Sequence, residues 1–204
     1  VVLKLSYDPM FDTANQSLNY LECHDNNTLF DKLLVSNANE EEKMLLDRVS
    51  LANTILLLSF GVPLLHMGQE IGLSKEGLDN TYKTLSVNNM DYRLVDERFE
   101  MVDRFRMMNI LRRKLGYTKL FKREDMENFF EISHWDNGIY VLSAKNKNVY
   151  CQEKEFVIML NPTDKAVSFE LDDYYVNLDG TQDAQTIRIK NGFLPGCKML
   201  MLFK

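Results

Sequence analysis

The sequence predicts an α/β fold over about the first 116 residues, followed by an all-β domain over residues 117–204. Two observations support this division. A strand-like run, a long helical pattern and a second apolar run follow one another in the first half, as in a βαβ unit. After Gly116 the helical periodicity ends, and alternating runs separated by turn signals begin, which is typical of antiparallel strands.

The first predicted strand is "QSLNYLEC", residues 16–23, in which the side chains alternate as in a half-buried strand. Thr28 is a suitable N-cap for the helix that follows, and Asp31 completes a pattern like a capping box. A second helix is predicted over residues 40–60, because apolar residues recur there at helical spacing and Gly61 and Pro63 end the pattern. The apolar run at residues 62–67 then fits a strand buried in a parallel sheet.

Residues 68–90 form a long predicted loop, and loops of this length in compact domains are often functional. A helix is expected over residues 92–115, with Phe99, Val102, Phe105 and Ile110 on one stripe. In the second half, Asn137-Gly138 and the Asn-Gly pair at residues 191–192 are both predicted as hairpin turns. We expect about seven strands in this half.

Composition excludes several classes of function. The net charge is −6 and no basic stripe is present, which argues against nucleic acid and anionic membranes as partners. The apolar run at residues 55–68 is too short and too interrupted to span a membrane. The three cysteines lack metal-ligand spacing and are interpreted as free thiols in a reducing compartment. The final residues, "MLMLFK", show no cell-wall sorting pattern, so we expect a cytoplasmic protein, with a secreted or cell-surface location left open. No cofactor is predicted.

The most informative residues are His24, Asp25 and Asn26, which follow the first predicted strand. Spacing alone leaves two interpretations open. Asp and Asn are common in turns that enter a helix, so these residues could serve only as caps. Alternatively, the carboxyl ends of parallel strands are where α/β proteins place their chemistry. An imidazole and a carboxylate there could bind sugar hydroxyls or stabilise positive charge in a transition state.

Two longer blocks favour the second interpretation. "SLNYLECHDNNTLFDKL" resembles the fourth conserved region of the α-amylase superfamily, and it is most similar to type I pullulanases and related glycogen-debranching enzymes. Their pattern runs roughly Ile-Asn-Tyr-Val-Glu-x-His-Asp-Asn-x-Thr-Leu-Trp-Asp-Lys. "GVPLLHMGQEIGLSKEGLDNTYKTLSVNNMDY" resembles a second block of the same family, including its Gly-Gln-Glu and a Lys-x-Gly stretch. Order and spacing agree from about residue 16 to residue 115.

The resemblance implies a (β/α)₈ barrel followed by a β-sandwich. Residues 16–23 and 62–67 would be the seventh and eighth barrel strands, so residues 1–116 would hold the last two β/α units of the barrel. Residues 117–204 would form the C-terminal antiparallel β-sandwich. The strand would have to give way to a loop at His24, because strict alternation would turn His24 and Asp25 to opposite faces.

The resemblance also implies the chemistry of a retaining glycosidase that cleaves α-1,6 branch linkages in pullulan, glycogen or limit dextrins. Asp25 would correspond to the carboxylate that stabilises the transition state, and Glu70 to a supporting anchor. The remaining matched residues would contact the α-glucan substrate: His24, Asn26, Asn80 and Tyr82. His66, inside an apolar run, is interpreted as a core histidine with a satisfied hydrogen bond.

Two departures limit the expected activity. Phe30 stands where the family has Trp, so the indole N–H is absent. The chain has no candidate for the first six strands, and hence none for the nucleophile or the general acid. We therefore expect a fragment that is inactive alone and needs the N-terminal part of the barrel as its partner. Without that partner, residues 1–115 are expected to self-associate, to rearrange or to be poorly ordered. Calcium binding by the whole enzyme is left open. The alternative is a glycan-binding or structural module without catalysis.

Overall fold

The first half of the chain consists of two short parallel strands and the helices around them. The computed structural model describes residues 11–116, 119, 122–144, 156–177 and 188–203. The elements of this half, in chain order, are β1 (Leu18–Asn19), α1 (Leu29–Ser36), α2 (Glu42–Leu58), β2 (Val62–Pro63), α3 (Arg93–Glu97) and α4 (Phe99–Lys114). Among the described helices, none is both long and apolar enough to cross a membrane.

The predicted βαβ order is confirmed, but the strands are much shorter than predicted. β1 pairs with β2 in parallel, with Leu18 opposite Val62 and Asn19 opposite Pro63. The predicted strands at residues 16–23 and 62–67 thus shrink to two residues each, because each has only the other as a neighbour in the described part of the chain. Their assignment as the seventh and eighth strands of a barrel stays a prediction.

Helices α1 and α2 begin and end close to where the sequence predicts. The Thr28 hydroxyl accepts a hydrogen bond from the Asp31 amide, as an N-cap should. At the end of α2, Gly61 adopts a φ of 95°, and an added Cβ would lie 2.9 Å from the Ser17 carbonyl oxygen. The buried Arg112 of α4 donates hydrogen bonds to the carbonyl oxygens of Leu57, Ser59 and Gly61. It thereby satisfies acceptors that the end of α2 leaves open.

The single helix predicted over residues 92–115 is divided into α3 and α4 at Arg98, where φ is −113° and ψ is 33°. The Arg98 guanidinium donates hydrogen bonds to the carbonyl oxygens of Ile71 and Gly72 and forms an ion pair with Glu42. The predicted apolar stripe is wrong at its ends, since Phe99 and Ile110 are exposed. The residues of α4 that enter the core are Met108, Leu111 and Arg112.

The second half contains a short helix and one antiparallel sheet. Its elements are α5 (Arg123–Phe129), β3 (Phe130–His134), β4 (Tyr140–Ala144), β5 (Phe156–Asn161), β6 (Val167–Asn177), β7 (Arg188–Leu194) and β8 (Lys198–Phe203). The described strands number six, in the order β3-β4-β5-β8-β6-β7, against about seven predicted. The predicted domain boundary at residues 116–117 reaches residues outside the described part of the chain, so it stays a prediction.

The two faces of this sheet are both covered. Side chains on one face pack against α2 and α4, and Phe130, Phe156 and Ile158 are among them. Side chains on the other face, including Val157 and Met159, form a second core with residues of β6 and β7. Every residue of β5 is therefore buried. A β-sandwich with two stacked sheets was expected, but the described strands form one hydrogen-bonded sheet. The β6–β7 pair, whose register shifts between Glu170 and Tyr175, covers the second face of that sheet.

Of the two predicted Asn-Gly turns, one is confirmed and one is wrong. Asn137-Gly138 joins β3 to β4, and Gly138 has a φ of 91°. Asn191-Gly192 lies inside β7, where Gly192 is paired with Phe169 of β6. A Cβ at Gly192 would approach the Phe169 ring to 3.2 Å, so this glycine makes room for an aromatic ring across the strands.

Candidate functional site

The turn at residues 24–26 follows β1 and projects three polar side chains into solvent. The chain leaves the strand before His24, and the two neighbouring side chains therefore reach each other. His24 Nε2 lies 3.0 Å from the Asp25 carboxylate, and these side chains are 72% and 64% exposed. Asn26 is also exposed. The turn thus offers an imidazole, a carboxylate and an amide, all able to hydrogen-bond a ligand.

A buried lysine supports this turn from below. Lys75 is 2% exposed, and its ammonium donates to the carbonyl oxygens of His24, at 3.2 Å, and of Asn26, at 2.8 Å. Hydrogen bonds from a charged donor are stronger than neutral ones, so this contact holds the backbone of the turn on both sides of Asp25. Lys75 was not predicted as a site residue, although it is the lysine of the Lys-x-Gly stretch that resembles the family pattern.

Asp31 fixes the segment that carries Lys75. Its carboxylate accepts hydrogen bonds from the Ser74 hydroxyl, at 2.6 Å, and from the Lys75 amide, at 2.8 Å, and the residue is 1% exposed. The predicted capping box is therefore incomplete, because the Asp31 carboxylate is used in this long-range contact. Asn27 adds a third connection, from its side-chain amide to the Gly77 carbonyl oxygen at 2.6 Å.

The loop after β2 also contacts the turn directly. The backbone amide of Asn80 donates a hydrogen bond to the Asp25 carbonyl oxygen at 2.8 Å. Asn80 is exposed, and its φ of 48° lies in the left-handed region that Asn tolerates. Tyr82 lies two residues further along and is 60% exposed, with the Lys83 ammonium 5.3 Å from its ring centroid. Among the predicted site residues, the structure therefore brings together His24, Asp25, Asn26 and Asn80.

Glu70 makes only a local contact in the described part of the chain. Its carboxylate accepts a hydrogen bond from the Gly68 amide at 3.0 Å. The neighbouring Gln69 provides the long-range contact, because its buried side chain donates to the Asn53 side chain of α2 at 2.6 Å. The supporting role predicted for Glu70 stays a prediction, and Gln69 is a second anchor that the sequence did not reveal.

A further polar contact joins the segments that follow β1 and β2. The buried Glu22 carboxylate lies 3.0 Å from His66 Nδ1 and also accepts the Leu29 amide at the start of α1. His66 therefore has the hydrogen-bond partner that was expected of it, but its interpretation as a core histidine is wrong, because its side chain is 29% exposed. Phe30 is buried, and the Arg98 guanidinium lies over its ring, 5.8 Å from the centroid. The described residues include no group of three His, Cys, Asp or Glu side chains arranged to hold a metal ion.

Comparison with known proteins gives matches along most of the chain. The chain is 33% identical to the pullulanase of Bacillus subtilis over 164 residues, which are 80% of this chain and 23% of the relative. It is 35% identical over 78 residues to pullulanase A of Streptococcus pneumoniae, of which it covers 6%. The chain thus spans about a quarter of the length of the first of these relatives, and less of the second. No family model matches.

Solved structures agree with the sequence comparison. A pullulanase from Anoxybacillus sp. LM18-11, complexed with maltotetraose, superposes with a TM-score of 0.85 at 28% identity, over 95% of this chain and 28% of that structure. The type I pullulanase of Bacillus subtilis, complexed with maltose, gives the same TM-score at 25% identity. Together the sequence and structure comparisons identify this chain as a relative of the type I pullulanases, consistent with a C-terminal part of such a protein.

Proposed function

We propose that this chain is part of a longer glycoside hydrolase that cleaves α-1,6-glucosidic branch linkages in α-glucans such as pullulan, glycogen or limit dextrins. The relatives support the reaction class, and two solved relatives are complexed with maltotetraose and with maltose. The observation that carries the proposal is the exposed His24–Asp25 pair, held after β1 by Lys75 and by Asn80.

In this proposal Asp25 stabilises positive charge on the sugar. Cleavage of a glycosidic bond passes through an oxocarbenium-like transition state, and a fixed carboxylate is worth most where positive charge develops. His24 lies beside Asp25 and can donate a hydrogen bond to a sugar hydroxyl. Asn26 and Asn80 flank the same turn with amide groups, and Tyr82 can offer its ring to a sugar face.

The nucleophile and the general acid would come from outside this chain. A retaining glycosidase needs two carboxyl groups, one that forms the covalent intermediate and one that transfers protons. The chain spans only 23% of its Bacillus subtilis relative, which leaves most of that protein to supply them. We therefore propose that the 204-residue chain alone does not hydrolyse pullulan.

The exposed apolar residues around β1 and β2 support the need for a larger partner. Large apolar side chains remain exposed there that a folded protein would normally cover, and these are Leu18, Tyr20, Val62, Leu64, Leu65 and Met67. Both strands also have a free edge in the described part of the chain. The N-terminal part of the same barrel is the partner that would cover them.

The test is Asp25→Asn in the whole protein that carries this segment. We expect kcat for pullulan hydrolysis, measured as reducing ends released, to fall by about 10²–10³-fold, the range seen when one electrostatic contact to a transition state is removed. KM should change little, because the carboxylate acts mainly in the transition state. Asp12→Asn is the matched control, since Asp12 is an exposed aspartate upstream of β1 and should leave kcat unchanged.

Two results would contradict the proposal. If Asp25→Asn retains the kcat of the parent protein, Asp25 is not the stabilising carboxylate. If the 204-residue chain alone releases reducing ends from pullulan, and Asp25→Asn abolishes that activity, then the nucleophile and the acid lie within this chain.

A further inference from the structure

A cleft lies in the β half, and none of its lining residues belongs to the His24–Asp25 turn or to the loop at residues 74–80. It has a volume of about 330 Å³ and lies between the turn that joins β3 to β4 and the β6–β7 hairpin. Small-molecule sites typically occupy about 300–1,000 Å³, so the cleft is large enough for a small ligand. Its lining residues are Trp135, Asn137, Ser168, Phe169, Glu170 and Asn191.

Trp135 forms one wall and is held rigidly. Its amide donates to the Ile139 carbonyl oxygen at 2.8 Å, and its carbonyl accepts the Gly138 amide at 2.9 Å. The side chain packs against the second core of the sheet and is partly exposed. A rigid, half-exposed indole provides a large apolar surface at low entropic cost, and its N–H remains a donor.

The polar groups of the cleft come from two elements that are tied together. Asn137 donates from its side-chain amide to the Ser168 carbonyl oxygen at 2.8 Å, which fixes the β3–β4 turn against β6. On the other side, Glu170 of β6 is directly opposite Asn191 of β7, and both are exposed. Directly opposed residues share a face, so a carboxylate and an amide stand next to each other there.

A second aromatic ring adjoins these polar groups. Phe193 is 76% exposed and is paired with Ser168 across the hairpin. Since side chains two residues apart lie on the same face of a strand, Phe193 is on the same face as Asn191. Because its partner Ser168 lines the cleft, Phe193 adds apolar surface beside it.

We propose that this cleft binds a short segment of α-glucan, as a sugar site separate from the His24–Asp25 turn. The C–H groups of a pyranose face pack on aromatic rings, and its hydroxyls need both donors and acceptors. Trp135 and Phe193 supply the rings, and Glu170 and Asn191 supply an acceptor carboxylate and an amide. Among the described residues, the lining includes a carboxylate and no cation, which favours a neutral ligand over an anionic one. The choice of α-linked glucose rests on the proposed function.

The chain offers a direct probe, because Trp135 is its single tryptophan. Titration of the 204-residue chain with maltotetraose should give a saturable change in tryptophan fluorescence, with the same affinity by calorimetry. Glu170→Gln and Asn191→Ala should each weaken binding about tenfold, which is the effect of about 1.4 kcal/mol. Glu131→Gln on β3 is the matched control and should bind as the parent chain does, since Glu131 is an exposed glutamate outside the cleft.

The β-linked isomer cellotetraose tests the choice of linkage. Equal affinity for cellotetraose would overturn the assignment to α-glucan. Absence of saturable binding, or equal binding by the parent chain and by Glu170→Gln, would overturn the site itself. Asp25→Ala should leave the fluorescence titration unchanged, because Asp25 does not line the cleft. The hydrolysis assay of Asp25→Asn tests only the catalytic proposal. The two proposals can therefore fail separately.

Discussion

Replacing Lys75 by methionine tests whether one buried ammonium determines the shape of the His24–Asp25 turn. Methionine keeps most of the volume of the side chain and removes its charge, together with the hydrogen bonds to the His24 and Asn26 carbonyl oxygens. Each hydrogen bond from a charged donor contributes about 1.5–3 kcal/mol. Part of the stabilisation lost with these hydrogen bonds is offset, because folding no longer has to desolvate an ammonium group.

We therefore expect Lys75→Met to lower the free energy of unfolding by about 2–3 kcal/mol. For a chain of this size that corresponds to a decrease in Tm of about 4–12 °C. Urea unfolding measures the change in the free energy of unfolding. Amide hydrogen exchange at Asn80 measures the local effect, because the Asn80 amide is protected by the Asp25 carbonyl oxygen and should exchange faster once the turn loosens.

Lys32→Met is the matched control. Lys32 is exposed and its ammonium donates to one carbonyl oxygen, that of Leu21, so its loss should cost less than about 1 kcal/mol. Equal destabilisation by the two variants would refute the argument from burial. Unchanged exchange at Asn80 in Lys75→Met would refute the argument that Lys75 shapes the turn.

Two further predictions concern the packing of the two halves and the exposed surface. Burial would raise the pKa of Asp47, but hydrogen bonds from Lys198 of β8 and from Lys43 outweigh it and hold that pKa below its ordinary 3.8. The stabilisation that these contacts give the folded protein is fully present when the pH is above the pKa of Asp47 in the unfolded chain. It is lost as the pH falls through the lower pKa of Asp47 in the folded protein. Asp47→Asn should therefore lower Tm at pH 7 and have little effect in strong acid. Leu64→Lys should reduce the self-association of the isolated chain, seen by sedimentation, because Leu64 belongs to the exposed apolar surface beside β2.

Each of these has a clear opposite result. A Tm difference between the parent chain and Asp47→Asn that is the same at pH 7 and in strong acid would contradict the ion-pair argument. A parent chain that sediments as a monomer at high concentration would contradict self-association, and with it the need for a covering partner. Val35→Lys, at an exposed valine of α1, serves as the control for added surface charge.

The sequence predicts those features that depend on neighbouring residues. The Thr28 cap requires only a hydroxyl three residues before an amide, and the Asn137-Gly138 turn requires only a glycine with positive φ. The exposed His24–Asp25 turn was expected for a similar reason, since alternation along a strand cannot bring two adjacent side chains together. The βαβ order was recognised from the length and periodicity of α2.

Features that depend on distant residues were not predicted. Lys75 appears in the sequence as one more polar loop residue, and only the fold places it beneath a turn 50 positions earlier. The break at Arg98 coincides with hydrogen bonds from its guanidinium to the carbonyl oxygens of Ile71 and Gly72, which are distant in sequence. Gly192 was mistaken for a turn glycine, since nothing near it in sequence reveals that Phe169 lies across the strand.

The contacts between residues 24–31, which include the turn and the start of α1, and the loop at residues 74–80 have a consequence for protein engineering. Four residues connect these two segments by hydrogen bonds: Lys75, Asp31, Asn27 and Asn80. Grafting either segment alone between relatives would break most of them. The two segments therefore form one unit, to be transplanted together if the shape of the His24–Asp25 turn is to be kept.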